Sequence, residues 1–339
     1  MNSSSYMINQ VYEILDKASF DEKVILTTRP SLITGISDEM LALILPIIGY
    51  WSYASFFHII DVYELAEKYR IHPSQEEESR NKVSLREVVK GVIIQHIIQT
   101  ILGMGVSYFE PEKVTGHEIY LLWNLRKRLP QIIPNFVIYY GYYYIWPVIK
   151  FIIGITIIDT WQYWLHRLMH MNKALYRRFH SRHHKLYVPY AYGALYNDPF
   201  EGFLLDSVGA AAAGVITKMT ARETIFLYTF STLKTVDDHC GYRLPFDIFQ
   251  IIFPNNTIYH DIHHQIWGIK NNFSQPFFTF WDKWNATDYK FVNEYKSYQN
   301  KITLKKYREF LQKKSLKKSF STPEINENEV EIIESKKLQ

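Results

Sequence analysis

Residues 132–170 read IIPNFVIYYGYYYIWPVIKFIIGITIIDTWQYWLHRLMH. Up to residue 158 this stretch carries a single charged side chain, Lys150, and it is long enough to cross the ~30 Å hydrocarbon core of a bilayer. Asp159 follows, and about two helical turns later come His166 and His170, on the same helix face. The stretch therefore predicts a membrane helix that leads directly into candidate metal ligands.

Eight of the thirteen histidines form three clusters with helical spacing. The clusters are His166 and His170; His180, His183 and His184; and His260, His263 and His264. Because residues three or four apart share a helix face, we expect each cluster to be able to place its imidazoles on one metal ion. Four ligands close a zinc site, so eight imidazoles indicate two ions, or one ion and a surplus. Unrelated core or surface histidines are the alternative, and two copies of H-x-x-H-H argue against it.

Other polar residues near the clusters extend the candidate site. His239, in TVDDHCG at 235–241, is predicted to be a ninth ligand. Asp159, Asp238 and Asp261 lie close to clustered histidines in sequence, and we expect them to orient imidazoles by accepting their free N–H groups. The alternative role for each aspartate is a helix cap. Which histidine binds which ion is left open by the sequence.

Composition restricts the chemistry of the site. A single cysteine, Cys240, excludes an intramolecular disulfide and a thiolate zinc site, and it fits a reducing compartment. A formal net charge of +4 is too small to argue for a nucleic-acid partner. Nitrogen ligands suit zinc, copper or non-haem iron. A hydrolytic zinc site needs only three of the histidines and a water, whereas two irons sharing eight or nine suit O₂ activation.

Further apolar stretches predict the fold class. Residues 40–60 and 91–109 contain no Asp, Glu, Lys or Arg, and each is long enough to span a bilayer. Residues 203–233 contain four charged side chains and are expected to form either a membrane hairpin or a buried part of the catalytic body. We therefore predict an all-α integral membrane bundle of about four transmembrane helices with a histidine-rich di-metal cap. The alternative is a soluble protein with buried core helices.

The predicted division of the chain follows these stretches. It comprises a polar N-terminal segment (1–38), transmembrane helices and loops (39–165), a histidine-rich catalytic region (166–290), a basic amphipathic tail (291–318) and a disordered tail (319–339). The amphipathic character is clearest at 302–318, where lysines surround apolar residues, and it predicts a helix on an anionic membrane surface. Lys336 and Lys337 match the dilysine retrieval signal of endoplasmic-reticulum membrane proteins.

Basic residues predict the orientation of the bundle. Lys and Arg are more frequent in 61–90 and in 166–185 than in 110–131, so the first two segments are predicted to be cytosolic. This scheme makes the histidine clusters and the C-terminus cytosolic and the N-terminus lumenal. No signal peptide is evident in 1–38, so the first span would act as an internal anchor. A re-entrant 132–158 would change the helix count.

The order H-x3-H, H-x2-H-H, H-x2-H-H behind apolar spans resembles the fatty acid hydroxylase superfamily of membrane di-iron enzymes. Flanking segments resemble its sphingolipid C4-hydroxylase (sphinganine C4-monooxygenase) branch. These segments are LAEKYRIHP (65–73), DTWQYWLHRLMH (159–170), YVPYAYGAL (187–195), KTVDDHCG (234–241) and YHDIHH (259–264). The resemblance runs from about residue 38 to residue 315.

The resemblance implies hydroxylation of C4 of sphinganine or dihydroceramide to a phytosphingosine-type base. It implies two irons, O₂, and electrons from NADPH or NADH through cytochrome b5 and its reductase, in the endoplasmic-reticulum membrane. Zinc is expected as a substitute in recombinant protein, and assembly with other sphingolipid enzymes is a further expectation. A fused cytochrome b5 is not expected, because Ser74 and Gln75 follow His72-Pro73 where that haem motif has paired glycines, so a separate cytochrome b5 is the expected partner.

Two sets of residues have alternative interpretations. Basic residues around the second cluster are expected either to receive the acidic face of cytochrome b5 or to reflect membrane orientation alone: Arg177, Arg178, Arg182 and Lys185. The tyrosine-rich run at 139–144 is expected to form an interfacial belt or to line a lateral route for the lipid chain.

Two other functions stay open at this point. One is sterol C4-methyl oxidation or C5-desaturation, in the same superfamily, which begins with the same kind of hydrogen abstraction as sphingoid C4 hydroxylation. A non-catalytic membrane metal-binding protein would show gaps in its ligand set, and none of the three clusters has one.

Overall fold

The computed structural model describes residues 3–109 and 114–321, and helices dominate it. In chain order they are α1 Ser3–Asp16, α2 Asp38–Val62, α3 Ser74–Arg80, α4 Leu85–Phe109, α5 Glu118–Arg128, α6 Asn135–Tyr140, α7 Trp146–Met171, α8 Lys173–Leu175, α9 Pro199–Gly202, α10 Gly209–Thr217, α11 Ala221–Asp238, α12 Ile248–Ile252, α13 Thr257–His264, α14 Phe280–Trp284 and α15 Val292–Ser321. Short strands β1 (Thr27–Thr28) and β2 (Val114–Thr115) pair antiparallel. The all-α prediction is confirmed.

Within residues 3–109 and 114–321, four helical segments are long and apolar enough to cross a membrane. They are Asp38–Val62, Leu85–Phe109, Asn135–Met171 and Pro199–Thr217. The third joins α6 to α7 through a π-helical turn at Gly141–Ile145, and the fourth joins α9 to α10 through another at Phe203–Val208. The predicted count of about four membrane helices agrees with these segments. Because α7 continues to Met171, the first histidine pair lies on a candidate membrane helix itself.

The region 203–233 forms a helical hairpin, whose first arm belongs to the candidate membrane segment Pro199–Thr217; its location in the membrane stays a prediction. Lys218 ends α10 in the left-handed conformation, with φ of 52°. Thr220 then caps α11, and its side chain and that of Glu223 satisfy each other's backbone N–H groups in a capping box. The returning helix α11 packs along α2, and α10 packs along α7. The hairpin thereby returns the chain to the level of the histidines.

The histidines share one end of the bundle. Lys150 and Glu223 pair at 2.6 Å near the starts of α7 and α11. His166 and His239 lie about 24 Å further along the same two helices, at 1.5 Å per residue. Helices α1 and α5 pack together and against α6 near the start of the third membrane segment, whereas α13 and α15 pack around the histidines. We call the latter the histidine end.

The first half of α15 belongs to the folded body at the histidine end. The buried Thr303 hydroxyl donates to the carbonyls of Arg70 and Ile71, at 3.0 and 3.1 Å. Tyr295 donates to Asp261 at 2.7 Å. Helix α15 continues to Ser321, so residues 319–321 of the predicted disordered tail are helical. The remaining predicted tail and its dilysine signal lie outside the described residues.

Candidate metal centre

Nine buried histidines meet at the histidine end in two groups. The first group consists of His166, His170, His180, His184 and His263, and the second of His183, His239, His260 and His264. Within each group the ligand-capable nitrogens all lie within 4.8 Å of one another. The structure thus brings every predicted ligand, including the isolated His239, into one of two clusters that fit metal ions.

The groups do not follow the sequence clusters. His183 separates from His180 and His184 and joins the second group, while His263 separates from its neighbours and joins the first. Successive residues of a helix are rotated by about 100°, so residues i and i+4 point nearly the same way while i+3 diverges from i+4. The first cluster therefore stays within one group, whereas the second and third clusters are each divided between the two groups. Each H-x-x-H-H motif gives its outer pair to one group and its middle histidine to the other.

Four Nε2 atoms of the first group form a closed ring. The distances around it are 3.1 Å (His166 to His180), 3.0 Å (His180 to His184), 3.2 Å (His184 to His170) and 3.1 Å (His170 to His166). Two nitrogens bound to one ion at about 2.1 Å and about 90° apart are separated by about 3.0 Å. The ring therefore has the spacing of neighbouring ligands on one ion.

The second group has a more open arrangement of nitrogens. His239 Nε2 lies 3.0 Å from His260 Nε2 and 3.4 Å from His183 Nε2. His264 Nε2 lies 3.1 Å from His260 Nε2. These separations also suit ligands of one ion, but four nitrogens are present where the first group has five.

Hydrogen bonds fix which ring nitrogens are free to bind metal. Several Nδ1 atoms face backbone carbonyls: His166 and Phe273 (2.7 Å), His239 and Thr235 (2.8 Å), His263 and Asn271 (2.7 Å), and His264 and Leu186 (2.8 Å). A carbonyl only accepts, so each of these Nδ1 atoms carries the hydrogen and each Nε2 keeps a lone pair. Lone pairs that face one another at about 3 Å repel, and a cation between them removes the repulsion. The donor set therefore fits metal ions.

The imidazoles are held in the neutral form that binds metal. Burial, followed by the neighbouring imidazoles, lowers the pKa values of His184, His260 and His264 well below the ordinary histidine value. The same causes lower the pKa of His183. Near neutral pH the site consequently presents uncharged nitrogen donors.

Glu201 is the functional neighbour that the sequence reasoning missed. It is buried at the start of the fourth membrane segment and accepts a short hydrogen bond from His180 Nδ1. Among the described side chains, no other carboxylate accepts a hydrogen bond from a histidine of either group. Glu201 lies twenty-one residues from His180, outside every cluster. The available signal was an acidic residue in an apolar membrane segment.

The three aspartates predicted to orient imidazoles have other partners. These are the backbone N–H groups of Phe277 and Phe278 for Asp159, the ammonium of Lys234 for Asp238, and the imidazole of His72 for Asp261. The prediction is wrong for Asp159 and Asp238, whereas Asp261 does orient an imidazole, but that of His72, which belongs to neither group. Backbone carbonyls replace the expected carboxylates because the packed segments bring those carbonyls directly against Nδ1.

One cavity opens onto both groups. Its wall includes His180 of the first group and three histidines of the second: His183, His239 and His260. Gln162 of α7, Asp206 of the fourth membrane segment and Thr235 of α11 complete its polar side, and Leu205 adds an apolar surface. A substrate atom in this cavity would therefore meet mainly the second group.

Comparisons with known proteins identify the family. The fatty acid hydroxylase model matches residues 151–287, which contain all nine histidines. Sphingolipid C4-hydroxylase SUR2 of Saccharomyces cerevisiae is 55% identical over 310 residues, covering 90% of this chain and 89% of that protein. The chain belongs to the sphingolipid C4-hydroxylase family. Sphinganine C4-monooxygenase 1 of Arabidopsis thaliana, 42% identical over 252 residues, covers 74% of the chain and is itself covered to 87%.

A relative with a different name lies at a similar distance. A very-long-chain aldehyde decarbonylase of Oryza sativa subsp. indica is 44% identical over 248 residues, covering 73% of this chain and 88% of that protein. No solved structure matches the chain. The sphingolipid C4-hydroxylase family assignment therefore depends on the sequence relatives, and the arrangement of the site depends on the geometry above.

Proposed function

We propose that this member of the sphingolipid C4-hydroxylase family hydroxylates C4 of sphinganine or dihydroceramide, giving phytosphingosine-type bases. One oxygen atom of O₂ enters the C4–H bond, and the other leaves as water after two electrons and two protons are supplied. The main support is the pair of buried Nε2 groups that share one cavity between membrane helices. The names of the relatives supply the reaction class.

The nine histidines are proposed to hold two irons, five on one and four on the other. Iron at these positions would supply O₂ activation, which zinc, lacking redox chemistry, would not. The protein's own contribution is to fix the Nε2 lone pairs by holding Nδ1–H groups on carbonyls and on Glu201. Burial of all nine side chains excludes bulk water from the reacting carbon.

The cavity, with a volume of about 20 Å³, has room for about one water-sized group, so it is proposed to mark the position of the reacting carbon, with the sphingoid head held between the membrane helices next to it and the chain in lipid. Asp206 accepts from Gln162 at 3.3 Å and from Gln95 at 3.4 Å, which forms a polar cluster between membrane helices. A carboxylate and two amides suit the hydroxyl and amino groups near C4. Anchoring those groups here would place C4 beside His239 and His260.

Electrons are proposed to come from NADPH or NADH through a separate reductase and cytochrome b5. Arg177, Arg178 and Lys185 are exposed close to the first group, as the basic face for an acidic donor requires. The Tyr176 ring lies between this surface and the site, with its centroid 5.5 Å from that of His170 and 5.9 Å from that of His184. The proposed location is the endoplasmic-reticulum membrane with the histidine end in the cytosol.

The proposal is tested with purified, iron-loaded protein in lipid nanodiscs, cytochrome b5, its reductase, NADPH and labelled sphinganine or dihydroceramide. Under ¹⁸O₂ we expect one ¹⁸O in the new C4 hydroxyl, no product without O₂, and two irons per chain. Product formed anaerobically, or carrying oxygen from water, would overturn the proposal and favour hydrolytic chemistry. Lipid analysis of cells lacking the protein distinguishes C4 hydroxylation of the sphingoid base from sterol oxidation. If the protein oxidised sterols, these cells would accumulate methyl sterols and their phytosphingosine would be unchanged.

A further inference from the structure

A second cavity, of about 480 Å³, lies at the histidine end and outside the metal centre. Its wall combines the segment after α2, the loop before α12, the start of α13 and the first half of α15. Lys68, Arg243 and Lys296 line it, and no aspartate or glutamate does. We call it the basic cavity, and its charge distribution suits an anion.

Three of the four cations on the wall of the basic cavity, all except Arg70, lack acidic partners among the described side chains. None of the ion pairs among the described side chains includes Lys68, Arg243 or Lys296. Arg70 on the same wall is different, because Glu77 pairs with it at 2.7 Å and two further carboxylates lie at 3.0 Å. Burial lowers the pKa of Arg243, and burial together with Arg243 lowers the pKa of Lys296. Two like charges therefore face one cavity without compensation.

Gln299 gives the cavity a second polar feature. Its side chain is 8% exposed and lines the cavity. Its amide nitrogen donates to the Tyr295 hydroxyl at 3.2 Å, and its buried Oε1 has no partner in the part of the chain that the structure describes. An unpaired buried acceptor is costly, so it favours a ligand that brings a donor such as a hydroxyl.

An exposed apolar patch adjoins the basic cavity. Phe246, Ile248, Ile251 and Ile252, on and just before α12, are 74%, 68%, 68% and 64% exposed. Ile251 also lines the cavity. Since Phe249 of the same helix packs against the membrane helix α2, through Tyr53, the patch lies beside the lipid-facing bundle. Exposed apolar side chains next to unpaired cations are typical of a membrane interface.

We propose that the basic cavity binds the phosphate of an anionic phospholipid whose headgroup carries hydroxyls, with the apolar patch inserted among the acyl chains. Phosphate oxygens would accept from Arg243, Lys68 and Lys296. A headgroup hydroxyl would donate to Gln299 Oε1. The site is separate from the metal centre and does not depend on the reaction proposed there.

The test uses the full-length, metal-loaded protein in phosphatidylcholine nanodiscs with or without 20% phosphatidylinositol. Native mass spectrometry counts the phosphatidylinositol retained per chain. The variant pair is Arg243→Gln with Lys296→Gln, and the matched control pair is Lys301→Gln with Lys305→Gln, exposed lysines of α15 outside the cavity. We expect about tenfold less retained phosphatidylinositol for the first pair, and wild-type retention for the control.

Several outcomes would overturn the lipid site. One is wild-type retention by the cavity pair, and another is equal loss in both pairs, which would indicate surface charge alone. Because Arg243 is partly buried, Lys296→Gln alone serves as a variant at an exposed position. We expect it to retain several-fold less phosphatidylinositol than the wild type. Soluble inositol phosphate and inorganic phosphate are tested without phosphatidylinositol. Saturable binding of either, lost in the cavity pair, would assign the site to a soluble phosphate instead.

Discussion

The two histidine groups differ in their number of histidines and in how many of those histidines line the cavity. The first has five histidines, four of which form a ring of nitrogens 3.0–3.2 Å apart, and only His180 among them reaches the cavity. The second has four histidines, and three of them line the cavity. The difference indicates that an ion in the first group would be enclosed by its ligands, whereas an ion in the second group would lie next to the cavity.

The largest expected effect is in the second group. His260→Ala leaves three donors in the second group, two of which line the cavity. We therefore expect product to fall on the order of 10²-fold or more and iron to fall from two to about one per chain. His183→Ala, in the other H-x-x-H-H motif, is expected to behave alike. Hydroxylated base is measured by mass spectrometry and iron by elemental analysis, after membrane insertion is checked by carbonate extraction.

His117→Ala is the matched control for these substitutions. His117 is exposed before α5, away from both groups, and its loss should leave product and iron unchanged. Full hydroxylation by His260→Ala would remove the second group from the mechanism.

The next largest effect is expected at Glu201. Glu201→Ala leaves His180 Nδ1 without its acceptor, and losses of that kind cost about 10–100-fold in metal affinity or activity. Glu201→Gln keeps an oxygen acceptor, so we expect it to lose clearly less metal affinity and activity than Glu201→Ala. Iron titration and product formation are measured for both variants. Equal losses would show that the negative charge, rather than the hydrogen bond, is what His180 needs.

His263→Ala tests the contrast between the groups directly. It removes one of five donors and leaves the ring of four nitrogens intact, so we expect about tenfold less product and nearly two irons per chain at saturating iron. The comparison is made with His260→Ala in one preparation series. If both variants lose the same activity and the same iron, the two groups are not functionally distinct.

Periodicity and charge predicted much of this molecule because both are local properties of the chain. We can recognise uncharged runs such as 91–109, and the helical spacing of His166 and His170, from the sequence without knowing the tertiary structure. Helix periodicity alone separates the middle histidine of each H-x-x-H-H motif from the outer pair, but which histidines of the two motifs combine in one group was not predictable, since that depends on how α13 packs against the turn at 180–184. Glu201 was missed for the same reason, because its partner is distant in sequence.

The aspartates show the opposite error, in which closeness in sequence was taken for contact. Asp159 lies two turns before His166 on α7, yet it accepts the N–H groups of Phe277 and Phe278, at 3.0 and 2.6 Å. That contact ties a distant loop to the membrane helix. A buried carboxylate on a helix accepts hydrogen bonds from the donors that pack against it, and for Asp159 these are backbone N–H groups.

The smallest expected effect concerns His72, a buried histidine that is positively charged, whereas the nine histidines of the two groups are neutral. Its Nε2–H donates to Asp261 at 2.9 Å and its Nδ1–H to Glu76 at 3.0 Å, so both ring nitrogens are protonated. Burial would lower the pKa of His72, but Asp261 and then Glu76 outweigh burial and raise it to about 9. Asp261 lies on α13, which supplies histidines to both groups, so this ion pair fixes that helix.

The sign of the pH dependence follows from the raised pKa of His72. The ion pair's stabilisation, about 3 kcal/mol, is complete below the ordinary histidine pKa of about 6.5 and is lost as pH rises through about 9. Thermal unfolding of the metal-loaded protein in detergent should therefore show a steeper fall in Tm between pH 6.5 and 9.5 than His72→Gln shows. Parallel curves would mean that His72 does not carry this charge. A loss of bound iron in His72→Gln at pH 7 would instead extend the coupling from α13 to the metal groups themselves.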